Sequence, residues 1–422
     1  MNILKPKSVI HFSTNDDGGA GSAAYKLHRS CSYNGYDSRL VVQKKTIVDS
    51  AVIQIGEFSH LVPKVLNKFE QVFSLVDEKY CYFDKGFSTV FSIDWLVSRL
   101  PKCVDVIILH SVSGFITLED IEALQSRYHC KVYWHVLDMA PMTGGCHYAW
   151  DCTHYSDSCD ECPATKWLYN GKSKGLLSRK QSVLNNLNIE LLSPSSWLDF
   201  QLRTSVLFSV AKIHRLFLSV DEDVFFFASD RQIAIYRHEH GISIHKKVIA
   251  FGASSFSDER KGVGYFLAAL AKVCRPEEYE IVTSGSFNIP ADSITRMGFS
   301  HVHLGFLRGG KALSKFYQIS DLYVSTSIED SGPMMINEAI ISGTPVVAFD
   351  MGVAADLVIN NQTGYIAKLK DVDDLANGIE SVLGLDAASF QLMKYNCRNL
   401  GLTEFSLAQY NINVKNILTD RG

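Results

Sequence analysis

The stretch LYVSTSIEDSGPMMINEAIISGTPVVAFD, residues 322–350, reads as strand, loop, helix and strand in immediate succession. LYVSTS (322–327) and PVVAFD (345–350) are short apolar runs with β-branched residues, the composition of buried strands. Pro333 suits a first helical position, where its missing N–H is not needed, and Gly343 stops the helix before Pro345 opens the next strand. A helix placed between two such strands is the unit of parallel α/β architecture.

Outward from that stretch the same alternation continues in both directions. SVIHFS (8–13), RLVVQ (39–43), DVIILH (105–110), KVYWHVL (131–137) and IELLSPS (189–195) read as strands in the first half, and KVIAFGAS (247–254), YEIVTSG (279–285) and HVHLGF (301–306) join the opening pair in the second. Two open sheets fit this pattern better than one. The expected organisation is a first Rossmann-like domain over residues 1–214 and a second over 215–404, with a C-terminal helix over 405–422 able to join the first. Open parallel sheets bind ligands beyond the carboxyl ends of their strands, so two such domains are expected to face each other across a ligand-binding cleft.

Composition narrows the function. The chain has 422 residues, 46% of them hydrophobic and 20% charged, with a formal net charge of −4. It can bury substantial cores, but offers no basic field for nucleic acid, and no nucleic-acid-binding motif is present. The opening MNILKPKSVIHFS lacks the apolar core of a secretory signal, and no run approaches the length of a spanning helix, so a cytoplasmic location is expected. Ten cysteines in a reducing compartment suggest thiols or metal ligands before disulfides.

Residues able to carry chemistry follow strand ends. After the first strand, Gly18, Gly19 and Gly21 lead into a helix, where glycine lets backbone approach a ligand and open helix amides favour an anion. The spacing is not that of a dinucleotide fingerprint. After the strand at 247–254, Arg260 and Lys261 suit a diphosphate, Arg as a planar fork and Lys as a point charge. In the opening stretch Asp330 stands just outside the helix and Glu338 within it, on a different face from Ile336 and Ile340, with Ser331 and Gly332 between the acid and the helix start. Two carboxylates, which only accept hydrogen bonds, suit hydroxyls at both ends of a ligand, and the amides near 332–335 would meet a phosphate between them. A sugar nucleotide has that layout.

This constellation resembles the retaining glycosyltransferases of family four, which have the GT-B fold of two Rossmann-like, doubly wound parallel-sheet domains. Their pattern of two acids separated by seven residues, followed by Ala and G-x-P-V-V, is similar to DSGPMMINEAIISGTPVV, with Asp330 at the first acid, Glu329 as its neighbour and alternative, and Glu338 at the second. GGAGSAAYKLHRSCSYNGYDSRLVV, DERKGVGYFLAAL and GVAADLVINNQTGYIA extend the resemblance over nearly the whole chain. It implies transfer of a sugar from a UDP- or GDP-sugar, with retention and without a catalytic metal or other cofactor, to a glycan or lipid-linked acceptor hydroxyl. Glu338 would bind ribose, the first acid would contact the transferred sugar, and Arg260 and Lys261 would hold the diphosphate.

DMAPMTGGCHYAWDCTHYSDSCDECP, residues 138–163, narrows the resemblance to enzymes of bacterial capsule, exopolysaccharide and O-antigen assembly. Where many relatives have His-Asp before Met, this chain has Leu137 and Asp138, which leaves His135 as either a substitute contact or a packed strand residue. Cys146, Cys152, Cys159 and Cys162 could form a structural zinc site, with His147 and His154 as alternative ligands, or remain free thiols or a redox-labile pair. Residues 60–73 read as an amphipathic helix able to dock peripherally on the inner face of the membrane or to pack in a core, and 166–180 is basic with no acid. Two other readings fit the same fold, a sugar-nucleotide epimerase and a degenerate protein that binds a sugar nucleotide without turnover.

Overall fold

A computed structural model describes residues 7–55, 76–81, 92–166, 171–286 and 291–420. The expected amphipathic helix at 60–73 lies outside the described residues. The chain divides into two compact units. The first takes in the chain as far as Pro194, then Leu198–Leu216 and the segment from Asn411, and the second comprises Ser195–Trp197 and Phe217–Tyr410.

The first unit is built on β1 (Ser8–Asn15), α1 (Gly18–Tyr33), β2 (Asp37–Lys44), β3 (Val52–Gln54), α2 (Ile93–Val97), β4 (Val106–Leu109), α3 (Leu118–Tyr128), β5 (Lys131–His135), α4 (Lys172–Leu184), β6 (Ile189–Ser193), α5 (Ser196–Thr204) and β7 (Ile213–Arg215). Its seven strands pair in the order β3-β2-β1-β4-β5-β6-β7, all parallel. Every residue of β4 is buried, as expected of a parallel strand covered on both faces. Gly21 sets how close α1 comes to the turn after β1, since a Cβ there would lie 2.7 Å from the Asp16 carbonyl carbon.

The second unit contains α6 (Asp230–Glu239), β8 (Lys247–Ser255), α7 (Val263–Leu270), β9 (Tyr279–Ser286), α8 (Ala291–Thr295), β10 (Ser300–His303), α9 (Gly310–Gln318), β11 (Leu322–Ser325), α10 (Met334–Ile341), β12 (Val346–Phe349), α11 (Ala354–Leu357), β13 (Gly364–Ala367), α12 (Val372–Leu383) and α13 (Ala387–Glu404), followed by α14 (Leu407–Thr419). Its six strands run parallel in the order β10-β9-β8-β11-β12-β13. One core layer, around Phe251, Phe266 and Phe349, packs α7 and α12 on one side of the sheet, and another, around Phe316, Ile336 and Ile340, packs α9 and α10. Helices in two separate layers about a parallel sheet make the doubly wound arrangement.

Candidate functional site

In the second unit the loop after β11 is fixed from several directions. Ile328 donates its amide to the Arg260 carbonyl at 2.8 Å, and the Thr326 hydroxyl bonds the carbonyls of Lys261 and Gly262 at 2.8 and 2.9 Å. Gly262 has φ +65, and a Cβ there would lie 2.0 Å from the Thr326 carbonyl oxygen, so only glycine fits. On the other side of the loop Gly352, at φ +58, would place a Cβ 2.4 Å from the Asp330 carbonyl oxygen. The Ser195 hydroxyl donates to the Ser331 carbonyl at 2.6 Å.

These contacts hold Asp330 against Lys261. The Lys261 Nζ lies 2.5 Å from Asp330 Oδ2, with the two side chains 21% and 12% exposed. Burial pushes the Asp330 carboxyl up, but the Lys261 ammonium, the Gly332 amide and the Arg260 charge together hold it below the usual carboxylate range. The Gly332 amide donates to Asp330 Oδ1 at 3.1 Å and so is already committed, contrary to the expectation of open amides from 332 onward. Pro333 occupies the extended position before the helix rather than its first turn, and Met334 and Met335 supply first-turn amides that no intrahelical carbonyl can reach.

Arg260 forms a two-pronged pair with Asp258, at 3.1 Å through Nε and 2.5 Å through a terminal nitrogen. Asp258 also accepts the Arg260 amide at 3.1 Å, so one carboxylate caps the turn and orients the guanidinium. Glu338, half-buried on α10, accepts a 2.7 Å hydrogen bond from the hydroxyl of Tyr317 on α9. Burial and the Glu338 charge push the Tyr317 phenol well up, so it stays a donor at neutral pH. Glu329, next to Asp330 in the chain, is buried. Arg260, Lys261, Asp330, Ser331, Gly332 and Glu338 therefore all lie in one unit, around β11 and α10. Tyr317 was not singled out from sequence, because a tyrosine in an amphipathic helix carries no mark of its hydroxyl's partner.

The other expected residues lie in the first unit. Gly18 and Gly19 are exposed at the start of α1, where Gly18 takes φ +69. Beside them is Asp16, which sequence reasoning passed over. It is 1% exposed and accepts from the Thr46 amide at 2.9 Å, the Thr46 hydroxyl at 2.8 Å and the Ile47 amide at 2.9 Å, tying the loops after β1 and β2 together. Asp138 accepts the Ala140 amide at 2.8 Å and lies 3.1 Å from His147 Nδ1. Burial raises its carboxyl, but the His147 ring, the Ala140 amide and Lys180 outweigh burial and keep it low. Lys180 is 9% exposed and donates to the Ala140 and Thr143 carbonyls at 2.7 and 3.0 Å, which fixes the turn carrying Asp138.

His135 proves to be a packed strand residue. It is 1% exposed, and its Nδ1 lies 3.2 Å from His110 Nδ1, while His110 Nε2 lies 3.1 Å from His11 Nδ1. Burial drives the His135 imidazole down to about 3 and the nearby His28 down to about 4, and burial followed by neighbouring histidines lowers His11 and His110 well below the usual value. These rings are neutral, and His110 donates from one nitrogen while accepting at the other.

Cys146, Cys152, Cys159 and Cys162, the four cysteines of the zinc expectation, are free thiols in this structure. Among the described residues no three His, Cys, Asp or Glu side chains are grouped to hold a metal ion. The Cys146 thiol instead shares its proton with Cys162, whose thiol is drawn down to about 5 by that bond, while Cys146 is pushed up by it. Cys159 accepts the Gly144 amide at 3.3 Å, and burial raises its thiol to about 11. Within the described part of the basic run at 166–180, Lys174 pairs with Asp160, Arg179 with Glu119, and Lys180 is buried.

The family model described as glycosyl transferases group 1 matches residues 235–398, from within α6 to within α13. These residues are a group 1 glycosyl transferase domain. The stretch that includes Lys261, Asp330 and Glu338 lies wholly inside this group 1 domain. An uncharacterized glycosyltransferase of Methanocaldococcus jannaschii is 28% identical over 154 residues, 35% of this chain and 38% of that protein. An Escherichia coli UDP-Gal:alpha-D-GlcNAc-diphosphoundecaprenol alpha-1,3-galactosyltransferase is 28% identical over 101 residues, 24% of this chain and 26% of that protein. The matched part thus spans well under half of either curated relative. An Anabaena protein solved in complex with UDP and glucose has a TM-score of 0.63 at 15% identity, over 98% of this chain and 99% of that one. That likeness extends beyond the group 1 domain and gives the fold as GT-B, with a Rossmann-like parallel sheet in each unit.

Proposed function

We propose that the protein is a retaining glycosyltransferase that moves a sugar from a UDP- or GDP-sugar, without a catalytic metal, to the hydroxyl of a glycan or lipid-linked acceptor in cell-surface polysaccharide assembly. The observation that carries the reading is the group 1 domain's paired arrangement, Lys261 on Asp330 and Tyr317 on Glu338, around the start of α10. Glu338, held by Tyr317, is assigned to the ribose hydroxyls, and Asp330, with Glu329 beside it, to the transferred sugar. Ser331 and the first-turn amides of α10 are assigned to the phosphates, with Gly332 giving its amide to Asp330.

Charge grows on the leaving diphosphate, so Arg260 and Lys261 stabilise the transition state more than the ground state. Both cations are held by carboxylates in this structure. A diphosphate can compete for them without assembling the site anew. No side chain serves as a covalent nucleophile in this reading, and the departing phosphate assists removal of the acceptor proton. In the first unit, Asp138 is assigned to orienting the acceptor hydroxyl and Gly18–Gly19 to a close backbone approach. The UDP complex of the Anabaena protein and the named lipid-linked substrate of the Escherichia coli relative support the donor and acceptor classes. A cytoplasmic location, peripheral on the inner membrane face, fits such an acceptor; among the described residues no helix is long and apolar enough to cross a membrane.

A thermal-shift panel of UDP, GDP, ADP and their sugar conjugates, followed by product analysis with the stabilising donor, tests the reading. Ligand at a hundred times Kd adds about 2.7 kcal/mol. Glu338→Gln should leave the melting temperature of the free protein nearly unchanged, because the amide oxygen still accepts from Tyr317, while donor Kd rises about tenfold or more. Unchanged donor affinity would remove Glu338 from the site. Donor binding without any transfer or hydrolysis would favour the binding-protein reading.

A further inference from the structure

The first unit holds a cavity of about 60 Å³ beyond the carboxyl ends of β4 and β5, where doubly wound sheets bind their ligands. Its walls include Val112, Ile116, Leu118, Ile121, Trp134 and Leu176. Along the polar side are Asp138, the Arg179–Glu119 pair and Lys180, whose ammonium is spent on two backbone carbonyls.

We propose that this cavity receives a compact apolar substituent of the acceptor, the methyl of an N-acetyl group or of a deoxy sugar, while an adjacent hydroxyl meets Asp138. The inference rests on the glycosyltransferase reading and names its acceptor class. Size decides against the larger alternatives. A space of 60 Å³ exceeds the 10–15 Å³ or so that admits one water, yet is less than half of the roughly 150 Å³ that takes benzene. Two or three heavy atoms fit, and an acyl chain or an aromatic ring does not. The lining is two-sided: six of its side chains are apolar but for the Trp134 indole N–H, which is spent on the His110 carbonyl at 3.1 Å, while Ser111, Ser113 and Thr117 add hydroxyls, so the cavity suits an occupant with an apolar face beside hydrogen-bonding groups. The charges at the side argue against a bare anion, since the guanidinium of Arg179 is matched by Glu119 and Asp138 is itself anionic. What remains is a neutral, hydroxylated molecule with a small apolar appendage. Each buried methyl is worth about fourfold in affinity.

The test compares, in the full chain, methyl glycosides that differ only in that appendage: the N-acetylglucosaminide against the glucoside, and the fucoside against the galactoside. Ligand-observed NMR reads affinity and which ligand protons touch protein. One pair should show about fourfold or greater preference for the substituted member, with strongest saturation at its methyl, and Val112→Phe or Leu176→Phe, which fill the cavity, should abolish the preference. Donor binding and slow donor hydrolysis should persist in both variants, and two variants guard against one that folds poorly. Equal affinities in both pairs, no binding of any glycoside, or a preference that survives both fillings would overturn the proposal. Failure of the wild-type protein to bind or hydrolyse any nucleotide sugar would instead overturn the glycosyltransferase reading, with the methyl preference still measurable.

Discussion

Lys261 and Asp330 are each other's main compensation in a partly dehydrated setting, and removing one member strands the other. Lys261→Met should cost about 3 kcal/mol of stability in the second unit at neutral pH and weaken nucleoside diphosphate binding tenfold or more. Because the Asp330 carboxyl is held below its unfolded value, its contribution is complete above about pH 4 and lost as pH falls through the depressed value. Denaturant titrations on both sides of that pH should show wild type and variant converging in acid, and parallel curves would refute the pairing. The buried histidines act at a higher pH. His28 falls to about 4, so between pH 6.5 and that value the unfolded chain takes up a proton the folded one refuses, and stability drops by up to about 1.4 kcal/mol per pH unit. His28→Gln should flatten the melting profile over that window, and an unchanged slope would assign the acid sensitivity elsewhere. Asp330, Glu338, Arg260 and Lys261 could be singled out from sequence because each sits at a fixed spacing from a strand end or helix start. Tyr317, Asp16 and Lys180 could not, because their partners come from other segments and only the folded chain brings them together.

The elements that carry these residues depend on a few close approaches. Gly262 joins the turn carrying Arg260 and Lys261 to α7 at φ +65 with the Thr326 carbonyl directly against it. Gly262→Ala should cost about 1 to 3 kcal/mol in backbone strain and displace Lys261, so that melting temperature and nucleotide affinity fall together. A variant that melts normally and binds normally would show that the loop has room to move. Ten strands were legible as apolar runs because parallel strands are covered on both faces and keep little polar punctuation. The three that were not, β3 (Val52–Gln54), β7 (Ile213–Arg215) and β13 (Gly364–Ala367), are all edge strands of three or four residues. An edge strand pairs on one side only, so its sequence is less constrained, and the polar residues of IHR or the glycine and tyrosine of GYIA give no run to detect.

Across the molecule, the chain belongs to the first unit, enters the second, and returns to the first from Asn411. The returning segment buries Val414 and Leu418 and offers backbone to the first unit, with the Tyr133 hydroxyl on the Ile417 carbonyl at 3.2 Å and the Asn34 amide on the Asn411 carbonyl at 2.8 Å. Truncation after Tyr410 should therefore lower the stability of the first unit by several kcal/mol, at about 1.5 to 3 for each large apolar side chain, and leave nucleotide-induced stabilisation of the second in place. Calorimetry with and without the donor nucleotide should resolve the two effects, and loss of nucleotide stabilisation would mean the second unit depends on the segment too. The return has a consequence for synthesis. Chains emerge from the ribosome amino end first, and domains ordinarily close in that order. Here the unit begun first cannot be finished until α14 is released, so the second unit is free to fold while the first is still waiting for its strap.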